Sequence, residues 1–343
     1  MAHREIGQLS LADGLVAERG RNESLERIAA LVDWAPIGAL LSGLHASVRG
    51  PKSYPPLMML KALLLQQWHG LGDVDLEAML GDRISFRRFC AIALDDATPD
   101  HVTISNFRRL LVAQGLADQV FAAVAVQIAA AGLLVKRGTL IDASLIAAAV
   151  KRPRPPQDVE TAETPARAEG SPSPGAERAP SKLVRSPIDP EAAWSKKGGV
   201  RRFGYKAHVA VDAGSGIIRR HLLTPGNVND TVPADQLIIG DERAVYADQA
   251  YDSLARRALL KESGIKNRIM RRANKHHPLS KRHKQRNTLI GKVRGPVEQV
   301  FSRLKGPLRW ARVRYIGVQR NAAHLALLCT ALNLMRWATL RPA

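Results

Sequence analysis

The chain of 343 residues is short of cysteine, of aromatics and of acids, and each shortage removes a class of protein. Only two cysteines occur, Cys90 and Cys329, far apart and without a Cys or His at metal-ligand spacing. A disulfide framework and a zinc site are therefore excluded, and two buried, reduced thiols in a cytoplasmic protein are expected. The opening residues, MAHREIGQLSLADG, lack the apolar core of a secretory leader, which fits the same location. No apolar run suits a membrane: the longest, residues 116–135, holds Asp118 and Gln127, so it predicts a buried helix. Aromatics make up only 5%, yet the apolar fraction of 45% is enough for a substantial core. Acids number 31 against 51 Lys and Arg, for a net charge of +20. Such a surplus predicts a polyanionic partner, nucleic acid before an anionic membrane.

What is present divides the chain. Residues 1–135 predict an N-terminal helical domain. NESLERIAALV starts with a capping residue, Asn22, and YPPLMMLKALLLQQWHGLG has prolines for a first turn and glycines at its end. TPDHVTISNFRRLLVAQG offers Thr and Ser as caps and carries Arg108 and Arg109. Between them, DVDLEAMLGDRISFRRFC reads as two short helices joined at a glycine, a helix-turn-helix by length alone. Composition shifts after residue 150: nine of the 20 prolines fall in 151–190. A flexible insertion over 151–198 is expected there.

From 136 to 343 the pattern becomes mixed α/β. Residues 201–230 alternate through Tyr205, Ala207, Val209 and Val211 to a Gly-Ser-Gly turn, which predicts a hairpin. TVPADQLII suits a helix, RAVYAD a buried strand, SLARRALLKES a helix and KNRIM a short strand, with a last helix over 320–341. Residues 256–320 hold 20 Lys and Arg and two acids, Glu262 and Glu298. The densest part, 271–287, predicts a solvated loop that meets phosphates. His276 and His277 have no acid or Cys nearby to complete a metal site.

One aspartate, Asp142, stands in the otherwise apolar or small LIDASLIAAAV, where an unpaired carboxylate is costly. Asp248 closes RAVYAD at a carboxyl edge, and Glu298 lies in GKVRGPVEQVFSRLKGP. Apolar residues at 290, 293, 297, 300, 301 and 304 trace one helical stripe there, and Pro296 starts or kinks the helix. On an ideal wheel Arg294, Glu298 and Lys305 fall within about 40° of one another. Three carboxylates and two divalent cations would serve phosphodiester chemistry, since paired metals clamp the attacking and leaving oxygens. Asp212 and Asp230 are rival acids, each explained by a turn.

These motifs together resemble bacterial insertion-sequence DDE transposases of the IS-four/IS-five kind. The likeness rests on IDASLIAAAV, FGYKAHVAVDAGSGII, TPGNVNDT, VYADQAYDS and RGPVEQVFSRLKGPLRWARVRYIG, and spans about residues 37–336. It implies an RNase H-like mixed-sheet core with Mg²⁺ (or Mn²⁺), two ions, at Asp142, Asp248 and Glu298. It further implies hydrolysis that exposes a 3′-OH, then transfer of that end into target DNA. Of the tyrosine, arginine, glutamate and lysine signature, Arg294, Glu298 and Lys305 fit, while Gly291 stands where the tyrosine would be. Duplex DNA, as terminal inverted repeats and target, is the expected partner, bound by a homodimer or larger assembly and not at a membrane. Arg294, Lys305, Lys206, Arg271, Arg272, Lys275, Lys281, Arg282, Arg108 and Arg109 are the expected DNA contacts. A domesticated endonuclease and a non-catalytic DNA-binding regulator are the alternatives.

Overall fold

The computed structural model describes residues 3–341 except 9–10, 17–18, 45–51, 154–185, 198–199 and 274–277. Most of the expected insertion, and Lys275 with His276 and His277, thus lie outside the described residues. Among the described residues eight helices come first: α1 (Leu11–Leu15), α2 (Glu23–Leu31), α3 (Trp34–Leu41), α4 (Pro56–His69), α5 (Asp73–Asp82), α6 (Ile84–Cys90), α7 (His101–Ala113) and α8 (Leu116–Ala130). Asn22 caps α2 as expected, accepting from the Leu25 N–H at 3.1 Å. Gly70 ends α4 at φ +61, and a Cβ there would meet the Arg309 side chain at 2.9 Å.

Two local expectations change. The cap of α7 is Asp100, which accepts from the Thr103 N–H at 2.6 Å, rather than a Thr or Ser. The turn between α5 and α6 falls at Arg83, with Gly81 inside α5. Phe86, Arg87, Phe89 and Cys90 of α6 are buried, and Arg87 donates to the carbonyls of Ala93, Leu94 and Asp96. This segment is packed scaffold.

Among the described residues six strands follow: β1 (Thr139–Ala147), β2 (Ala193–Lys197), β3 (Val200–Asp212), β4 (Ile218–Pro225), β5 (Ala244–Ala247) and β6 (Lys266–Ile269). Their order is β2-β3-β1-β5-β6, with β4 also on β3. β1 runs antiparallel to β3 and parallel to β5, and β5 parallel to β6. An antiparallel hairpin joined through β1 to two parallel strands is the RNase H-like mixed sheet that the resemblance implies. Gly204 permits a close crossing, since a Cβ there would lie 2.1 Å from the Ile146 carbonyl oxygen.

The expected insertion over 151–198 is too long at its far end. Residues 186–197 are folded: β2 pairs with β3, Trp194 packs on Phe203 at 5.5 Å, and the Tyr205 hydroxyl donates to Asp189 at 2.6 Å. The helix expected at 231–239 shrinks to one 3₁₀ turn, Ala234–Leu237, between Pro233 and the left-handed Gly240.

Helices α9 (Leu254–Glu262), α10 (Lys281–Val293), α11 (Gly295–Lys305) and α12 (Val318–Leu340) complete the chain. The loop expected over 271–287 is helical from Lys281, with Ser280 as cap. The helix breaks at Arg294 and restarts with Pro296 in its first turn.

The cores share α12. Ala323, Ala326, Leu327, Ala331, Leu334 and Trp337 pack among the N-terminal helices, while Leu325, Leu328, Cys329 and Leu332 pack against the sheet and α11. A third cluster, with Ile141, Val245, Tyr251 and Leu260, fills the other sheet face. Both cysteines are free and buried, and burial pushes the Cys90 thiol up to about 12, leaving it unreactive. Among the described residues no single helix is long and apolar enough to cross a membrane.

Candidate active site

The site begins where β1 and β5 part. They pair at Thr139↔Val245 and Leu140↔Tyr246. Asp142 and Asp248 each lie two residues beyond the last paired position, so the two chains leave the ladder with an aspartate at the same step. Asp248 is the first residue past β5, and its carboxylate accepts from the Ala250 N–H at 2.8 Å, which turns the chain away. The sheet therefore presents two aspartates at one fork.

Beneath them lies Tyr251. Its side chain is buried, and among the described residues its hydroxyl has no hydrogen-bond partner. Burial first, then the charges of Asp230, Asp142 and Asp248, raise the phenol far above its ordinary value, with Arg294 opposing. Asp230, expected only to serve a turn, is thus part of the cluster. It pairs with Lys206 at 2.9 Å, and Lys206 also donates to the Val228 carbonyl at 2.7 Å. In sequence, Tyr251 stands three residues after Asp248, but no periodicity marks a buried hydroxyl.

α11 supplies the opposite wall. Val297, Val300, Phe301 and Leu304 are buried, each worth at most about 1.5–3 kcal/mol. Arg294 Nη2 sits 3.0 Å from Asp142 Oδ2, and Lys305 Nζ donates to Ser144 Oγ at 2.6 Å. Residues 142 and 144 share one strand face, so the helix is fastened to β1 at both ends. Glu298 falls on the same flank between these contacts, exposed, one turn or about 6 Å beyond Arg294.

Asp142 and Asp248 thus follow the last paired residues of neighbouring strands, and Glu298, on α11, is exposed. Among the described residues no three carboxylate, imidazole or thiol groups close on one point. By chemistry the three side chains offer only hard carboxylate oxygens, the donor type that suits Mg²⁺ or Mn²⁺.

The expected DNA contacts fare unevenly. Arg108 points inward: it is buried, forks onto both oxygens of Asp73 and bonds Gln66 at 3.3 Å, so it has no reach to DNA. Arg109, on the next position of α7, is exposed. Arg272, Lys281 and Arg282 are exposed as well. Arg271 is half-buried, 3.7 Å from Asp252. Arg294, Lys305 and Lys206 are engaged inside the site as described.

A family described as "Transposase DDE domain" matches residues 135–334, and one described as "Transposase domain" matches residues 15–110. Among solved structures, a cryo-EM structure of a piggyBac transposase synaptic complex with hairpin DNA aligns over 93% of this chain and 82% of that one. Identity there is 10% and the TM-score 0.37. The DDE match covers more than half of the chain and contains the fork, α11 and the sheet. The chain belongs to the DDE-domain transposases of insertion sequences.

Proposed function

We propose that this transposase binds the terminal inverted repeats of its element, hydrolyses a strand at each end to expose a 3′-OH, and joins that end to target DNA. The observation that supports this reading is the parallel β1–β5 pairing, beyond which Asp142 and Asp248 each follow by two residues, together with the Arg294–Asp142 ion pair that ties the start of α11, the helix carrying Glu298, to β1. Asp142, Asp248 and Glu298 would hold two Mg²⁺ or Mn²⁺ ions, which supply charge stabilisation at the attacking and leaving oxygens when bound. The chain's own cations do the positioning. Arg294 orients the Asp142 carboxylate, and Lys305, anchored two residues further along β1, meets the phosphate that follows the cleaved one. The enzyme acts on duplex DNA in the cytoplasm as a dimer or larger assembly, consistent with its net charge of +20.

The test is gel-resolved cleavage of the element's terminal repeats by wild type and Glu298→Gln, each with Mg²⁺ and with EDTA. Cutting is expected to vanish in the variant and in chelator, with DNA binding retained. Cleavage by Glu298→Gln at the wild-type rate would remove the proposed third ligand. A pre-nicked end incubated with target DNA should give joined product, and cleavage without joining would reduce the enzyme to a nuclease.

A further inference from the structure

A second basic feature opens beside the fork, built from residues scattered in sequence. A groove of about 590 Å³ lies between the far half of β1 and its continuation, the start of β3, and the segment after α11. Its lining holds Lys151, Arg152, Arg201, Arg202, Lys305 and Arg312, and among the described residues it contains no acid. The segment carrying Arg312 is fixed to β1 by two backbone bonds, Ala147 N–H to Ala311 O at 3.2 Å and Val313 N–H to Ala147 O at 2.8 Å. Arg152, Arg202 and Arg312 are exposed.

Lys305 links this groove to the carboxylates, since it lines the groove and touches Ser144, two residues from Asp142. From Asp142 to the end of β1 is about 17 Å along the strand. For a duplex whose axis lies along β1, at about 3.4 Å of axis per phosphate of one strand, that length matches roughly five phosphates. Half of the lining is apolar, including Leu145, Ala147 and Phe203, which suits the sugar face of a backbone held by cations on the rim.

We propose that this groove binds the sugar-phosphate backbone of the DNA strand that runs off the carboxylate site past Lys305. The assignment rests on the transposase reading above, and it adds Lys151, Arg152, Arg201, Arg202 and Arg312 to the DNA-binding surface.

The test uses the full chain in EDTA, so that catalysis plays no part, with a short fluorescein-labelled duplex whose anisotropy is followed across a salt series. For Arg152→Ala/Arg202→Ala/Arg312→Ala, the slope of log affinity against log salt should flatten by about 2.7, or 0.9 for each lost contact. The matching triple Lys variant should keep the wild-type slope and shows that the scaffold tolerates changes here. A control, Lys261→Ala/Lys266→Ala/Arg268→Ala, removes three exposed cations at the β6 edge of the sheet and should lose less. A photocrosslinker at position 202 should label one strand within a few nucleotides of the scissile phosphate. An unchanged slope in the alanine triple, or an equal loss in the control, would overturn the groove. A wild type with no salt-dependent affinity for DNA would instead overturn the reading beneath it.

Discussion

Two arginine–aspartate pairs, one in each half of the molecule, separate structural charge from functional charge. Arg108–Asp73 lies among the N-terminal helices, and Arg294–Asp142 lies between α11 and β1. Exposure does not distinguish the arginines: their side chains are 9% and 12% accessible. Geometry does. Arg108 grips both oxygens of Asp73, Gln66 donates to the same carboxylate at 2.6 Å, and the guanidinium lies 5.4 Å from the Tyr315 ring centroid. Arg294 Nη2 lies 3.0 Å from Asp142 Oδ2, while Asp142 Oδ1 accepts from the Ala143 N–H at 2.9 Å, and nearby is a buried phenol without a hydrogen-bond partner among the described residues. A fork-to-fork pair wrapped in satisfied neighbours is a fastening. A pair set where two strands end, with the charges of Asp142 and Asp248 both felt by one buried phenol, is placed to orient a carboxylate.

Breaking the first pair should have the largest effect on the fold. Arg108→Ala leaves Asp73 half-buried and unmatched, and should cost about 3–5 kcal/mol in urea unfolding. DNA affinity at a temperature where the variant is folded should stay near wild type, and a selective loss of DNA binding would return Arg108 to the DNA surface. Arg294→Gln should do the reverse: strand cleavage falls about 10- to 100-fold, as for partners that orient metal ligands. Its unfolding midpoint should move little, and an unfolding shift as large as that of Arg108→Ala would erase the distinction.

A pH titration sharpens the comparison, because each half buries a histidine. His208, on β3, is held down to about 4, chiefly by burial. His324, on α12 against Gln67, lies well below its ordinary value, again through burial first. Since these values are depressed, the unfolded chain takes up protons first as the pH falls. The neutral rings therefore contribute their full stability above about pH 6.5, and lose it progressively toward pH 4. For His208 the loss from pH 7 to pH 5 is about 2 kcal/mol. Urea midpoints should fall over that interval, and less so in His208→Gln. A midpoint equally pH-sensitive in that variant would assign the effect elsewhere. Smallest of all, Arg109→Ala should change stability by less than about 0.5 kcal/mol, as a thermal melt would check.

The same contrast marks what the sequence discloses. Periodicity and caps locate elements well: Asn22 at the start of α2, the β3–β4 hairpin, and Asp248 at the end of β5 are all legible. These signals are local. What escapes is decided by packing between distant segments. β2 hides behind the prolines that precede it and is stabilised by β3, not by its own composition. Arg108 and Arg109 are adjacent and chemically identical, and only the presence of Asp73 and Gln66 on neighbouring helices turns one inward. Asp230 reads as a turn residue until the fold brings Lys206 and Tyr251 to it. The groove is the extreme case: its cations come from three separate stretches, while the conspicuous run at 271–287 is in part an ordinary helix.

The long C-terminal helix carries a temporal consequence. Because its alternating sides complete the interior of both halves, neither half is fully assembled while the ribosome is still short of Val318. Removing Val318–Leu340 would open both cores at once, so the two halves would lose their packing together.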